Sequence, residues 1–500
     1  MAAVLLISVF VIATCGLVYE LIAGTVASYL LGDSITQFST VIGAYLCAMG
    51  VGSFASRYIN RNLLTTFIQV ELLIGLIGGF SALALFVAFE QVASFRLLLY
   101  SLVSITGILV GLEIPLLMRI LKQHYSFSDL VSRVFAVDYI GALLASLVFP
   151  MVLVPHLGLV RSGLLFGMFN VGVALWALVL FRADIPAFRA LRTASIIVLI
   201  LQLGTAIGAD RLTTSAEATH YPDPIIYSAS SPYQRIVLTK YADDLRLYLN
   251  GNLQFSARDE YRYHEALVHV PMAAMPTARD VLVLGGGDGL AVREVLKYPQ
   301  VESVTLVDLD TAVTKLFSSH PLLTTLNAGA LTDKRVQVIP ADAFVWLRDS
   351  RQQFDVAIVD FPDPSSFAVG KLYTDTFYKV LKQHLSPTGV AVIQSTSPYY
   401  ARETFGCVVN TLQAAGFFTR PYHAYVPSFG DWGFVLAGQQ HLRPSTPTVT
   451  GLRFLSPSTL DSLFQFPPDM HATTTDVNQL NNQALVHWFE REWAPYTDAH

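Results

Sequence analysis

An aspartate, Asp288, interrupts a run of glycines, Gly285, Gly286, Gly287 and Gly289, that follows the apolar stretch Val281 to Leu284. Apolar residues followed by glycines read as a buried parallel strand opening into a tight turn, where the backbone can approach a ligand because no Cβ intervenes. A helical pattern from Leu290 to Lys297 comes next, and then a second apolar strand, Val304 to Val307, ending on Asp308. An acid about 20 residues past such a turn is placed to grip ribose hydroxyls in a doubly wound sheet. The glycine spacing is GxGxG rather than the dinucleotide GxGxxG, so the turn suits a nucleoside of the S-adenosylmethionine type better than NAD. The plain alternative is a tight turn that binds nothing.

Asp288 bears on the rest of that ligand. The amino-acid end of intact S-adenosylmethionine carries a carboxylate, which a neighbouring aspartate repels, whereas a bare primary ammonium would be attracted. Asp288 therefore favours decarboxylated S-adenosylmethionine or a polyamine, unless it only caps the following helix, a place where Asp is common. A second acidic cluster points the same way. The apolar strand Phe354 to Val359 runs into Asp360-Phe361-Pro362-Asp363-Pro364, setting two carboxylates at the carboxyl end of a strand, where open α/β sheets bind ligands. Two acids can hold a diamine. An alkylamine with a pKa of about 10 is protonated near neutral pH and must lose a proton before its nitrogen can attack the methylene beside a sulfonium. Asp360 is the residue expected to take that proton, with Asp363 holding the amine or its distal ammonium. A rigid, proline-braced loop without chemistry is the competing reading.

These acids need elements to carry them. Leu245 to Leu249 alternates, and Asn250-Gly251 is a strong two-residue hairpin turn, so a small antiparallel β unit precedes the sheet and is able to close over the nucleoside. The helical spacing of Tyr261, Glu265 and Val268 in Arg258 to His269 puts Tyr263 and His264 at a helix start. A neutral His264 can hydrogen-bond an amine, although a lone histidine is more often structural, and His269 has nothing further in its favour. Tyr373, Phe377 and Tyr378 have core spacing, with Tyr373 also able to lie along an aliphatic chain.

The other half of the chain is apolar. Across 500 residues, 53% are hydrophobic and only 14% charged, which is low in charge for a soluble protein. About seven stretches before Ala209 are long enough to span a bilayer: Val4 to Leu31, Thr40 to Tyr58, Leu64 to Phe89, Phe95 to Leu121, Val134 to Pro155, Ser162 to Phe181 and Thr193 to Gly208. The expected division is a membrane domain over 1–209, a linker over 210–230 containing Asp210, Arg211, Pro222, Asp223 and Pro224, a β-hairpin unit over 231–275, a Rossmann-like domain over 276–440, and a tail over 441–500 that is helical around Asn478 to Trp493 and packs on the catalytic unit. The fold class is thus an N-terminal α-helical multi-pass membrane domain followed by α/β, a small antiparallel β unit plus a methyltransferase-type doubly wound sheet.

Glu20, Glu71, Glu113 and Asp138 lie in or beside apolar spans, where an acid faces a cavity, a partner or an interface. They line a path for a cation, or they simply pair with polar neighbours or, as for Glu71 near its span's start, sit at headgroup level. Cys15, Cys47 and Cys407 are far apart and suggest neither a disulfide framework nor a metal site. A net charge of -5 gives no reason to expect nucleic-acid binding.

Several stretches in a fixed order resemble the spermidine synthase family of polyamine aminopropyltransferases, over roughly Ser231 to Ala437. They are SPYQRIVL, LNGNLQFSARDEYRYHEALVHVPM, LGGGDGLAVREVLKYPQVESVTLVDLD, the acid in PADAF, DFPDP, and KLYTDTFYKVLKQHLSPTGVAVIQS. The resemblance implies that Gln234, Asp308, Asp342 and Ala343 contact the nucleoside part of the donor beside the Gly285 and Gly287 turn. It implies that Tyr263, His264, Asp288, Asp360 and Asp363 face the aminopropyl group and the diamine, with Asp360 as proton acceptor. The expected reaction takes aminopropyl from decarboxylated S-adenosylmethionine to putrescine, giving spermidine and 5'-methylthioadenosine without a metal or other cofactor. A homodimer or homotetramer is implied as well.

This chain departs from the family pattern at Phe361 and Pro362, at Ser366 and Phe367, at Asp308 where glutamate is usual, and at Asn250; the first two pairs bear on the acceptor. QSTSPYYARETFGCVV and VPSFGDWGFVLA are similar to a membrane-attached branch of the family. A methyltransferase using the intact donor, and a membrane polyamine sensor or transporter with a non-catalytic nucleotide fold, are the other readings. Orientation meets opposing demands. Arg57 and Arg61, Arg119, Lys122 and Arg133, and Arg182, Arg189 and Arg192 follow the second, fourth and sixth spans, which makes those loops cytoplasmic and, with seven spans, puts the catalytic half outside. A donor made in the cytosol asks for a cytoplasmic catalytic half, which one re-entrant segment, the short Thr193 to Gly208, would allow.

Overall fold

A computed structural model describes residues 2–31, 34–89, 95–122, 126–217 and 221–497. The chain divides into two compact units, Met1–Pro224 and Ile225–His500.

The first unit is helical: α1 Ala2–Leu31, α2 Ser34–Ala55, α3 Leu63–Ala88, α4 Phe95–Leu121, α5 Phe127–Val148, α6 Val154–Leu180 and α7 Phe188–Glu217. Among the described residues, six helical runs are long and apolar enough to cross a membrane, against the seven stretches expected. The difference lies in Ser128–Leu180, a 53-residue run that joins α5 to α6. As one straight helix it would reach roughly 80 Å, far beyond a hydrocarbon core of about 30 Å. Both α5 and α6 pack along α1, so the run turns back on itself. It does so through a π turn, Phe149–Leu153, carrying Pro150, and a non-helical Gly158 at φ 72°. At 30 residues α7 is not short, which removes the reason for treating its segment as re-entrant.

Small residues set the helix spacing, as in other bundles that close on backbone contact. A Cβ on Gly75 would come within 2.9 Å of the Gly167 carbonyl, which brings α3 against α6. The same crossing holds a polar chain: Tyr19 Oη donates to Asn170 Oδ1 at 2.8 Å and Asn170 Nδ2 donates to Glu71 Oε2 at 2.8 Å. Glu71 is fully buried within the bundle and paired to a polar neighbour.

In the second unit, β1 Ile225–Ser230, β2 Arg235–Tyr241, β3 Asp244–Leu249 and β4 Asn252–Ser256 form an antiparallel meander. Asn250 and Gly251, at φ 50° and 80°, make the tight turn between β3 and β4. Part of the expected linker is regular structure, since α7 runs to Glu217 and β1 begins at Ile225; residues 218–220, and the side chains of Asp210 and Arg211, lie outside the described residues, as do residues 498–500 of the tail.

Next come α8 Glu260–Ala274, β5 Asp280–Gly285, α9 Leu290–Val295, β6 Ser303–Asp308, α10 Thr311–Ser319, α11 Pro321–Leu326, β7 Val336–Pro340, α12 Ala343–Asp349, β8 Phe354–Asp360, α13 Phe367–Gly370, α14 Asp375–Gln383, β9 Leu385–Gln394, α15 Arg402–Ala414, β10 Phe418–Val426, β11 Gly430–Gly438, α16 Pro457–Ser462 and α17 Ala484–Thr497. Seven strands lie in the order β10-β11-β9-β8-β5-β6-β7, the last five parallel and the β10–β11 hairpin antiparallel. Alternate residues of β5 enter opposite cores, Val281 and Val283 one and Leu282 and Leu284 the other. That two-sided burial is why parallel strands read as unbroken apolar runs.

The tail is bound to this unit. The Glu265 carboxylate, buried on α8, accepts from the backbone amides of Arg453, Phe454 and Leu455 at 2.8, 2.9 and 2.9 Å. The tail helix starts later than expected, at Ala484, because Asn478 spends its polar groups on other segments and Gln483 takes φ 45°. Replacing Glu265 with Ala strands three amides at once, so Glu265→Ala is expected to lower unfolding stability by about 3 kcal/mol, read by denaturant titration of the purified protein.

Candidate active site

The sheet reverses its winding between β5 and β8, and the register there sets Gly285 opposite Asp360. Ligands of open α/β sheets bind in the crevice at such a reversal. Gly285 has φ 77°, and a Cβ on it would fall onto the Asp360 carbonyl oxygen, so only glycine fits. The glycine turn and Asp360 consequently leave the sheet side by side.

On the β6 side of that crevice, Asp308 accepts from the Gly287 amide at 3.0 Å and from the Asp310 amide at 2.8 Å. A Cβ on Gly287 would stand 2.7 Å from Asp308 Oδ2, so the close approach again needs glycine. Burial lifts the Asp308 carboxyl to about 6, against the pull of the Asp310 amide. Two residues on, buried Asp310 caps α10 through the Ala312 amide and accepts from Gln234 Nε2 at 2.8 Å and Ser231 Oγ at 2.7 Å. Gln234 thereby ties the loop between β1 and β2 to the end of β6. Past β7, Asp342 caps α12 through the amides of Phe344 and Val345 and receives Lys371 Nζ at 2.6 Å. Burial works to raise its pKa, but Lys371 and the two amides outweigh it and hold the carboxyl below its ordinary value. Ala343, the first residue of α12, is buried beside it.

The other side gathers Tyr263, His264, Asp288, Asp360 and Asp363. Tyr263 Oη donates to Asp360 Oδ1 at 2.6 Å. Asp288 Oδ1 accepts from the Leu290 amide at 2.8 Å, so it does cap α9, and it also feels the charges of both His264 and Asp360. Burial and the neighbouring Asp360 raise Asp288 to about 6, while burial raises Asp363 likewise to about 6 and pushes Asp360 upward. Among the described residues, none of these three acids forms an ion pair with Lys or Arg.

His264 is set from behind. Its Nδ1 meets Glu260 Oε2 at 2.7 Å, and Arg293 grips the same carboxylate with two bonds of 2.9 Å. Burial disfavours the imidazolium, but the Glu260 hydrogen bond and the charges of Glu260, Asp288 and Asp360 prevail and raise the pKa. The shift is toward the protonated form, whereas the sequence reading has His264 meet an amine as a neutral hydrogen-bonding partner. His269 is bound away from the pocket, to Tyr298 Oη and Glu294.

Two residues of this site, Gln394 and Thr396, had no individual expectation. Gln394, buried at the end of β9, donates to the Phe361 carbonyl at 2.5 Å and to Asp363 Oδ1 at 3.4 Å, and accepts from Trp432 Nε1 at 3.0 Å. Thr396 donates to Asp363 Oδ2 at 3.3 Å from φ 54°, a left-handed conformation rare for a β-branched residue, fixed by the Gly433 amide on its carbonyl. Phe361 points into the core against Tyr373 and Phe377, so this departure from the family pattern turns away from the acids. Tyr373 is buried with its hydroxyl 3.1 Å from the Pro362 carbonyl.

Residues 260–446 match the spermine/spermidine synthase domain. A polyamine aminopropyltransferase of Leptospira interrogans is 52% identical over 493 residues, covering 99% of each chain. Polyamine aminopropyltransferase 2 of Ralstonia nicotianae is 55% identical over 501 residues, covering 98% of each. A crystal structure of spermidine synthase in complex with the transition state analogue AdoDATO is similar at 26% identity and a TM-score of 0.45, over 54% of this chain and 88% of that one.

Because Asp288 and Asp363 protonate at about 6, the pocket carries their charge above that pH and loses it below. Affinity for a small diamine, measured by calorimetry, is expected to be full near pH 8 and to fall about tenfold or more by pH 5, with a shallower fall in Asp363→Asn.

Proposed function

The chain belongs to the polyamine aminopropyltransferase family, and on that premise we propose that it transfers the aminopropyl group of decarboxylated S-adenosylmethionine to putrescine, giving spermidine and 5'-methylthioadenosine. The observation that carries the choice of donor and acceptor is the half-buried trio Asp288, Asp360 and Asp363, which no lysine or arginine among the described residues neutralises. Such a cluster attracts ammonium groups and repels the carboxylate of an intact donor.

In this reading the nucleoside lies along the ends of β5, β6 and β7, with Asp308 toward the ribose and Gln234, Asp342 and Ala343 around it. The diamine lies between Asp288, Asp360 and Asp363, with Tyr263 and His264 along the same wall. Asp363 and Asp288 hold cationic nitrogens in line with the donor methylene, which converts a bimolecular encounter into an oriented one. Asp360 takes one proton from the attacking ammonium, and its raised pKa suits it to that task better than an ordinary carboxylate. The freed nitrogen then attacks the methylene. The nitrogen–carbon bond forms as the carbon–sulfur bond breaks, and the electron pair neutralises the sulfonium to a thioether. Since the sulfonium is its own leaving group, the step calls for no metal.

The helical unit is proposed to lie across a bilayer. Its support is the six apolar runs together with outward-facing Ile196, Ile197, Ile200 and Leu203 on α7, all exposed, as lipid-facing side chains would be.

Asp360→Asn keeps the shape and removes the base, so turnover of putrescine with the decarboxylated donor is expected to fall on the order of 10²- to 10⁴-fold in the detergent-purified protein, with products identified by mass spectrometry. Unchanged turnover would dismiss Asp360 as base. Methylated product from the intact donor would replace the reading with a methyltransferase, and polyamine binding or flux without any product would replace it with a sensor or transporter.

A further inference from the structure

Residues 361–375 link the two sides of the site. At one end Gln394 and Thr396 hold Asp363, and the Tyr373 hydroxyl bonds to the Pro362 carbonyl; at the other Lys371 reaches Asp342. The tail, beyond the matched domain, grips this segment. Asn478 is fully buried, and its Nδ2 donates to the Gly370 carbonyl at 3.0 Å while its own carbonyl accepts from the Asp375 amide at 2.9 Å. Its amide donates to Thr411 Oγ1 at 2.9 Å and its Oδ1 accepts from the Leu485 amide at 3.2 Å, so all of its backbone and amide groups are committed. Gly370 sits so close to the tail that a Cβ would come within 2.5 Å of Val486 and 2.7 Å of Gln483. Phe367 meets the His487 ring edge-on at 5.8 Å. The tail is anchored beyond this point by the Glu492 carboxylate, which caps α15 through the amides of Glu403 and Thr404 at 2.9 Å each.

Ser366 and Phe367, where this chain departs from the family pattern, fall in that segment. Ser366 starts α13 by accepting from the Val369 amide, and Phe367, like Gly370 and Asp375, touches the tail. The altered loop and the tail are therefore two halves of one contact.

We propose that Asn478 is a positioning residue for the acceptor subsite: through Gly370 and Asp375 it holds residues 365–375 against the acids, so that the tail sets how tightly the amine is bound. It takes no part in the proton transfer or the carbon–sulfur cleavage. The inference rests on the reading that the amine lies between Asp288, Asp360 and Asp363.

The test compares steady-state kinetics of the full-length protein with Asn478→Ala and with His487→Ala, whose side chain is largely exposed. Asn478→Ala is expected to raise KM for putrescine roughly tenfold and His487→Ala about two- to threefold, each with kcat within about twofold and donor KM changed less than about threefold. Tryptic cleavage after Lys371 should accelerate in the same order. A lowered melting temperature with unchanged amine KM would reduce Asn478 to a structural role and overturn the inference, and so would a loss of kcat at constant KM. If Asn478→Ala does not fold, Phe367→Ala with His487→Ala carries the test by the same KM criterion. Absence of product from the unsubstituted protein would overturn the functional reading and this inference with it, whereas normal turnover with unmoved KM values overturns this inference alone.

Discussion

Three carboxyl groups sit together in the crevice of an apolar sheet with no lysine or arginine among the described residues to neutralise them, and this constraint explains most of what surrounds them. Buried like charges raise one another's pKa and favour any arrangement that separates them or supplies a cation. Tyr263 bonds one oxygen of Asp360, the Leu290 amide takes one of Asp288, and Gln394 and Thr396 share Asp363. His264 is biased toward its protonated form by Glu260, which Arg293 in turn fixes. Each group is satisfied enough to stay in place, and the cluster as a whole keeps a net demand for positive charge.

Much of this was legible in the sequence because it is local. A strand, a glycine turn, a helix and a second strand ending in an acid occur within some 30 residues, and DFPDP follows its strand directly, so Asp288, Asp308, Asp360 and Asp363 could be placed at strand ends from the sequence pattern alone. Gln394 and Thr396 could not. They meet Asp363 from the next strand, and the left-handed backbone at Thr396 contradicts local preference, being imposed by the Gly433 amide on its carbonyl. Glu260 was within reach, since it stands one helical turn before His264. The join of α5 to α6 and the late start of α17 escaped notice because a π turn and a committed asparagine leave no periodic trace.

The helical unit shows a different economy of polar groups. Glu71 lies in the first third of α3 and is reached by Asn170, itself fixed by Tyr19, while glycines at the α3–α6 crossing let the backbones close around them. Polar side chains in an apolar bundle thus find partners in neighbouring helices, which pins helix rotation as well as satisfying the groups. Relatives in Leptospira and Ralstonia align over nearly the whole chain, so the helical and α/β units occur together in them too.

The pairing of Gly285 with Asp360 across adjacent strands has a consequence for how this scaffold can diverge. The glycine turn and the proposed base leave the sheet at one ladder step, and a slip of one residue would send Asp360 to the opposite face. Neither half can drift without the other, so descent with altered substrate choice has to work through the segment after Asp360 and whatever braces it. The loop and the tail that brace that segment meet through Gly370 and Asp375, away from the ladder, which leaves the pair free to change together.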